Sequence, residues 1–194
     1  MKSIIRCPWC ESFDLYRHDH DTEWGVTLRD SRKLFELLIL EGAQAGLSWS
    51  TVLKKRESYR EAFDNFDPKK IVKYDDKKIS ELLANPGIIR NRLKVAATIG
   101  NAKACLALEK SGQPFNEFVW SFVKNKPIQN KRQYLNELPA RSPESDAMSK
   151  ALLKAGFKFV GTTICYAFMQ ASGMINDHLV SCHRYSAVKK ISKT

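Results

Sequence analysis

The stretch Ser142-Pro-Glu-Ser-Asp-Ala-Met-Ser-Lys-Ala-Leu-Leu-Lys-Ala155-Gly156-Phe-Lys-Phe-Val-Gly161-Thr162-Thr-Ile-Cys-Tyr-Ala-Phe-Met-Gln-Ala-Ser172 decides how the chain is read. Ser142 before Pro143 marks a helix start: the serine oxygen accepts from a free N–H, and proline gives up an N–H that has no helical partner at that position. The helix is predicted to reach Ala155, where Gly156 begins a tight connection to Gly161, and an apolar helix follows from Thr162 to about Ser172. Glycines at both ends of the hairpin let its backbone approach a phosphate closely. The helix start at Gly161 and Thr162 would then turn the positive end of its dipole outward. An ordinary corner between two helices uses the same pattern.

Outward from this unit, apolar residues recur at helical spacing and no internal repeat is present, so the chain reads as all-α. Asp30 or Ser31 caps a helix through Lys33–Leu40 that ends near Gly42 or Gly46, and a second runs from Ser50 to Phe63. Asp67-Pro68 and Asp75 open short helices before Asn85-Pro86-Gly87. Arg90–Lys110 is a long central helix with Leu93, Ala96, Ile99, Ala102 and Leu106 on one face. Phe115, Phe118, Val119 and Phe122 fall on one side of a helix over Pro114–Val123; the stripe reads as core, with a base-stacking platform as the alternative. Asn125–Arg141, polar and with two prolines, is a surface loop.

Lys and Arg total 32 against 21 acidic residues, a net charge of +11. That excess favours a polyanion, nucleic acid ahead of an anionic membrane surface, because bound phosphates release their counterions. The N-terminal residues lack the apolar core of a signal peptide, and no apolar run approaches the roughly 18 residues of a membrane span, so a cytoplasmic protein is expected. Five cysteines in a chain able to bury a real core point to metal ligation or buried thiols rather than disulfides.

Metal-type ligands gather at both ends: Cys7, Cys10, His18 and His20 near the start, His178, Cys182 and His183 near the end. One ion binding across these groups would staple the termini. Spacing alone leaves open whether Cys7-x-x-Cys10 is the pair and which histidine joins it. Glu41 lies three residues after Leu38 and seven after Leu34, on a face that leucines bury and near a helix C-terminus that disfavours an anion. A solvated or arginine-paired carboxylate is the plain reading, a functional demand the other. The following Gly42-Ala-Gln-Ala-Gly46-Leu47-Ser-Trp49 couples small residues to an apolar side chain able to wedge between base pairs. Trp9, Tyr16, Trp24 and Trp49 can form either core or a stacking pocket.

Taken together, Arg6-Cys7-Pro-Trp9, His20-Asp-Thr-Glu-Trp24-Gly-Val26, Leu40-Glu41-Gly-Ala-Gln-Ala-Gly46-Leu47-Ser-Trp49, Gly156-Phe-Lys-Phe-Val-Gly-Thr-Thr163 and Asn176-Asp-His178-Leu-Val-Ser-Cys182 resemble the DNA-3-methyladenine glycosylase I family over nearly the whole chain. The resemblance implies a helix-hairpin-helix DNA glycosylase fold: one domain over residues 1–194, in two helical lobes flanking a DNA cleft. A single structural zinc ion would tie segments 1–26 and 174–194 together. The implied ligands are Cys7, His20, His178 and Cys182, with Cys10, His18 and His183 as bystanders. The implied base pocket is Trp9, Tyr16, Trp24, Glu41 and Trp49, with Glu41 catalytic. The implied DNA wedge is Gly46 and Leu47, and the helix start at Gly161 and Thr162 is the expected contact with the DNA backbone.

The implied activity is monofunctional removal of 3-methyladenine from duplex DNA by base flipping, leaving an abasic site, by a monomer without membrane partners. Where the family commonly carries a second pocket tyrosine, this chain has Asp19, which either removes a stacking surface or adds an anion. Asp177 is implied to be a structural neighbour of His178 rather than a catalytic acid. A zinc-stapled, non-enzymatic DNA-binding protein is the alternative. A zinc hydrolase is disfavoured because four protein ligands leave no open position for water.

Overall fold

The computed structural model describes residues 4–191. Eleven α-helices are present among them: α1 Asp14–Thr22, α2 Ser31–Gln44, α3 Trp49–Leu53, α4 Arg56–Ala62, α5 Pro68–Ile71, α6 Asp76–Ala84, α7 Arg92–Lys110, α8 Phe115–Ser121, α9 Pro143–Lys154, α10 Thr162–Ala171 and α11 His183–Ile191. Their starts follow from local chemistry. Asp30 accepts from the Lys33 N–H at 2.8 Å, Asp75 from Lys78 at 2.9 Å and Asn91 from Lys94 at 3.1 Å. Ser142 and Ser145 cap each other reciprocally at the start of α9, each side chain accepting the other's backbone N–H. Gly156, at φ +94°, ends the α9 turn in a left-handed conformation that a side chain would strain.

Two elements depart from the expected pattern. The single helix expected over Ser50–Phe63 is broken at Lys54–Lys55 into α3 and α4. No glycine or proline marks the break; it turns Arg56 towards Asp19 and Glu23. The buried face of α7 is not the expected one throughout. Leu93 is 70% exposed and Ala96 is exposed, whereas Val95, Thr98, Ile99, Ala102 and Cys105 are buried. Helix α7 packs against α2, α5, α6 and α8, so no single apolar stripe describes it. The 125–141 segment is largely exposed, as expected, but it also contributes β1 (Ile128–Gln129), which pairs in parallel with β2 (Ile175–Asn176). Two-residue strands carry no readable alternation.

The main core joins Leu34, Phe35 and Leu38 of α2 to Phe115 and Trp120 of α8, Phe157 of the hairpin and Phe168 of α10, all essentially inaccessible. The aromatic stripe of α8 is therefore core. A smaller cluster of Cys7, Leu179 and Cys182, flanked by Trp9 and Leu138, joins the two ends of the chain. No helix among the described residues is long and apolar enough to cross a membrane.

The connection between α9 and α10 is anchored from behind by buried Asn101 on α7. Its amide donates to the Lys158 carbonyl at 3.0 Å and accepts from the Lys158 N–H at 2.8 Å. Asn101→Ala leaves both backbone groups unpaired and should lower unfolding free energy by about 2 kcal/mol. Urea denaturation should show this as a lower midpoint at unchanged slope; a loss below about 0.5 kcal/mol would mean that the hairpin is held elsewhere.

Candidate functional site

The chain ends meet in a cluster of four buried donors. Cys7 precedes a short 3₁₀ turn (Pro8–Cys10), His20 lies in the last turn of α1, and His178 and Cys182 flank the turn into α11. The donor atoms of these four residues all lie within 4.8 Å of one another. Cys182 Sγ is 3.5 Å from His20 Nε2 and 3.7 Å from His178 Nδ1, and Cys7 Sγ is 3.8 Å from His178 Nδ1. Edges of a tetrahedral two-sulfur, two-nitrogen metal site run from about 3.3 to 3.8 Å.

The surroundings match such a site. Contact with the Cys7 thiol, then with the two imidazoles, holds the Cys182 thiol well below its usual range, as a thiolate donor requires. His20 Nδ1 lies 2.8 Å from Asp21, and His178 Nε2 lies 3.0 Å from the Trp24 carbonyl, leaving the other ring nitrogens to face the centre. Asp21 is gripped by Arg6 at 2.8 Å and His183 at 3.0 Å. These residues fit a divalent cation. Cys10, whose thiol donates to the Cys7 carbonyl at 3.2 Å, and exposed His18 stand outside the cluster, and His183 supports it through Asp21.

Against this cluster lies a cavity of about 200 Å³, lined by Trp9, Tyr16, Trp24, Glu41, Gln44, Trp49, Leu138, Ala167 and Gln170. The Trp9 ring sits 5.0 Å from both Tyr16 and Trp24. These rings lean on the donor cluster, Trp9 against His20 at 5.2 Å and Trp24 edge-on to His178 at 4.6 Å. Sequence reading missed Gln44, Leu138, Ala167 and Gln170, which come from three separate places in the chain: the end of α2, the 125–141 segment and α10. Gln170 donates to Asp177 at 2.8 Å, and Asp177 also accepts from Tyr166 at 2.5 Å and Asn130 at 2.7 Å. Asp177 is thus committed to the framework beside His178.

Glu41 is 3% exposed, and its Oε2 is buried without a hydrogen-bond partner. Burial, reinforced by the negative charge of Asp19, pushes its carboxyl up to about 8. The helix end that disfavours an anion is offset by Lys94, whose ammonium donates to the Ala43 and Ala45 carbonyls at 2.7 and 2.8 Å. No sequence signal links Lys94 to residues some fifty positions earlier. Beyond α2, Gly46 takes a φ of +78°, open to glycine at no strain, and Leu47 projects 45% exposed. Gly161 caps α10 without a side-chain bond. The Thr162 hydroxyl is bound to Asp146 and Ser145, so only its backbone can serve a ligand.

Asp19 does not face the cavity as a spare anion. Its Oδ2 accepts from the Trp49 indole N–H at 3.1 Å, and its Oδ1 lies 3.6 Å from Arg56.

A predominantly helical frame, an aromatic cavity and a buried carboxylate with an unsatisfied oxygen are together able to receive a flat ring bearing donors or positive charge. The model of the methyladenine glycosylase family matches residues 9–185, and the chain belongs to that family; it is a glycosylase, a hydrolase by class. It is 54% identical over 184 residues to DNA-3-methyladenine glycosylase 1 of Escherichia coli, covering 95% of this chain and 98% of the relative. It is 55% identical to DNA-3-methyladenine glycosylase of Haemophilus influenzae over 91% of this chain and 96% of the relative. The solved 3-methyladenine DNA glycosylase I of Staphylococcus aureus, described for its recognition of 3-methyladenine, superposes with a TM-score of 0.89 at 35% identity, over 92% of this chain and 95% of that one.

Between pH 4.5 and about 8 the folded chain keeps a proton on Glu41 that the unfolded chain releases. Stability from this group therefore falls as pH rises through that window, by at most about 1.4 kcal/mol per pH unit. Glu41→Gln removes the effect, so the variant's melting temperature should gain on the wild type steadily from pH 5 to 8. A pH-independent difference would show that the carboxyl is not held protonated.

Proposed function

We propose that this enzyme removes 3-methyladenine from alkylated duplex DNA, hydrolysing the glycosidic bond of a base flipped into the aromatic cavity and leaving an abasic site. The observation that carries the reading is the buried, unpartnered Glu41 oxygen in a cavity walled by tryptophan and tyrosine. Methylation at N3 makes adenine cationic, weakens its glycosidic bond and lets it depart neutral. The site then needs no general acid for the leaving group, consistent with one carboxylate among rings. The faces of Trp9, Tyr16, Trp24 and Trp49 attract the cation, and Glu41 accepts from the exocyclic amine.

As the cationic lesion enters, it favours loss of the Glu41 proton. The resulting carboxylate stabilises positive charge growing on the sugar while water attacks. Leu47, carried by Gly46, fills the gap left by the flipped base, and the backbone N–H groups at Gly161 and Thr162 hold a phosphate at the start of α10, in a helix-hairpin-helix arrangement. The net charge of +11 draws the polyanion. Cys7, His20, His178 and Cys182 would hold a structural zinc ion, which when bound fixes the termini and takes no part in the reaction. We read the chain as a single, monomeric, cytoplasmic domain.

Chromatography of bases released from methylated duplex DNA tests the activity. Selective release of 3-methyladenine is expected, with kcat/KM lowered about a hundredfold in Glu41→Gln; no release by folded, metal-replete protein would favour a non-catalytic DNA-binding role. Leu47→Ala should impair excision from duplex DNA while binding of the free base stays near wild type, and equal loss of both would remove the wedge. Elemental analysis should find one zinc per chain, lost in Cys182→Ser together with thermal stability; full stability of zinc-free protein would refute the staple.

A further inference from the structure

We propose that Asp19 is a positioning residue of the base pocket, fixing the ring of Trp49 through the indole N–H and so setting the plane on which the flipped base stacks. The inference rests on the reading of the aromatic cavity as a base pocket. Trp49 lines two cavities, that of Trp9, Tyr16, Trp24 and Glu41 and a second of about 230 Å³ that includes Leu37, Leu40, Arg56 and Asp19 itself, and it packs against the main core only in part. A ring bordered by two cavities is not located by packing alone, because it lacks part of the close contact that fixes a core side chain.

The backbone, capped by Ser48 on the Thr51 N–H, fixes where the Trp49 side chain starts but not the rotation of its ring. Trp49 is the first residue of a five-residue helix and follows the exposed residues Gly46 to Ser48. What remains is the single directed bond the indole can make, since its N–H donates and cannot accept. That bond runs 3.1 Å to Asp19 Oδ2. Asp19 is itself held: it is 4% exposed, and its other oxygen faces Arg56 Nη1 at 3.6 Å. Arg56 is clamped by Glu23 through two bonds of 2.8 Å. The chain Glu23–Arg56–Asp19–Trp49 thereby ties the end of α1, the start of α4 and the start of α3 around one edge of the pocket. The Asp19 carboxylate stands behind the tryptophan, absent from the lining of the base cavity. Its bonded contact with the pocket is through the ring.

The test is a double-mutant cycle on the full, metal-replete chain. It would read calorimetric affinity for free 3-methyladenine alongside kcat and KM for release from methylated duplex DNA. Asp19→Ala should weaken free-base binding about tenfold and raise KM with it. Asp19→Asn, which keeps an oxygen acceptor for the indole, should stay within about threefold of wild type. In a Trp49→Phe background, which has no N–H to hold, Asp19→Ala should cause no further loss.

Equal losses in Asp19→Asn and Asp19→Ala would overturn the proposal in favour of a charge effect. A loss that persists in the Trp49→Phe background would overturn it in favour of a role in the fold or the donor cluster. Unchanged binding by Asp19→Ala would show that the ring is held without it. Wild-type protein that binds no 3-methyladenine would instead bring down the pocket reading itself, a result distinct from wild-type binding that the Asp19 variants share.

Discussion

The packing of Trp9 and Trp24 against His20 and His178 is the constraint from which the rest of the site follows. Two cysteines and two histidines from opposite ends of the chain converge in one buried cluster. The same imidazoles that face one another there present their outer surfaces to the tryptophans. A cavity wall made of large rings would ordinarily collapse onto its own empty space, since apolar rings gain by closing on each other. Here the rings rest on a cluster whose positions are fixed by Asp21, Arg6 and the Trp24 carbonyl. The closure of the termini and the opening of the pocket are one arrangement seen from two sides.

The second determinant is the placement of Glu41. A carboxylate in the last turn of α2, buried and with one oxygen unbonded, is costly to ionise. Lys94 offsets one cost by occupying the end carbonyls of the helix, whereas Asp19, although bonded to Trp49 and facing Arg56, adds its negative charge to the cost of ionising Glu41. The unsatisfied oxygen therefore remains directed at whatever fills the cavity. Under the proposed function, a cationic ring with an amine donor would supply both a charge and a hydrogen bond to that oxygen. Neutral bases supply less of the first, which is a physical basis for preferring a methylated base.

Much of this was legible in sequence, for identifiable reasons. Helix starts at Asp30, Asp75 and Ser142 depend on a side chain within three residues of the N–H it accepts, so local order suffices to find them; the Asn91 cap, just past the expected start at Arg90, went unread. The break at Lys54–Lys55 comes just before Arg56, which meets Asp19 and Glu23 more than thirty residues earlier, and it leaves no local mark. The buried face of α7 was misread at Leu93 and Ala96 because a helix with neighbours on several sides has no single apolar stripe. Gln170 and Leu138 join the pocket from distant segments, with ordinary local patterns.

By itself, then, the sequence determined the predominantly helical class, most of the caps, the short glycine-bounded connection between α9 and α10, and the set of residues able to ligate, stack or carry charge. These depend on neighbours a few positions apart, or on side-chain chemistry that needs no neighbour at all. Spacing left open which of the candidate cysteines and histidines come together, and the tertiary structure joined the four that the family resemblance implied; it alone decided that Glu41 is buried with a free oxygen and that Asp19 accepts from Trp49. Each of those outcomes is an interaction between groups far apart in the chain. Its energy depends on distance and on exclusion of water, and neither quantity exists until the helices have packed.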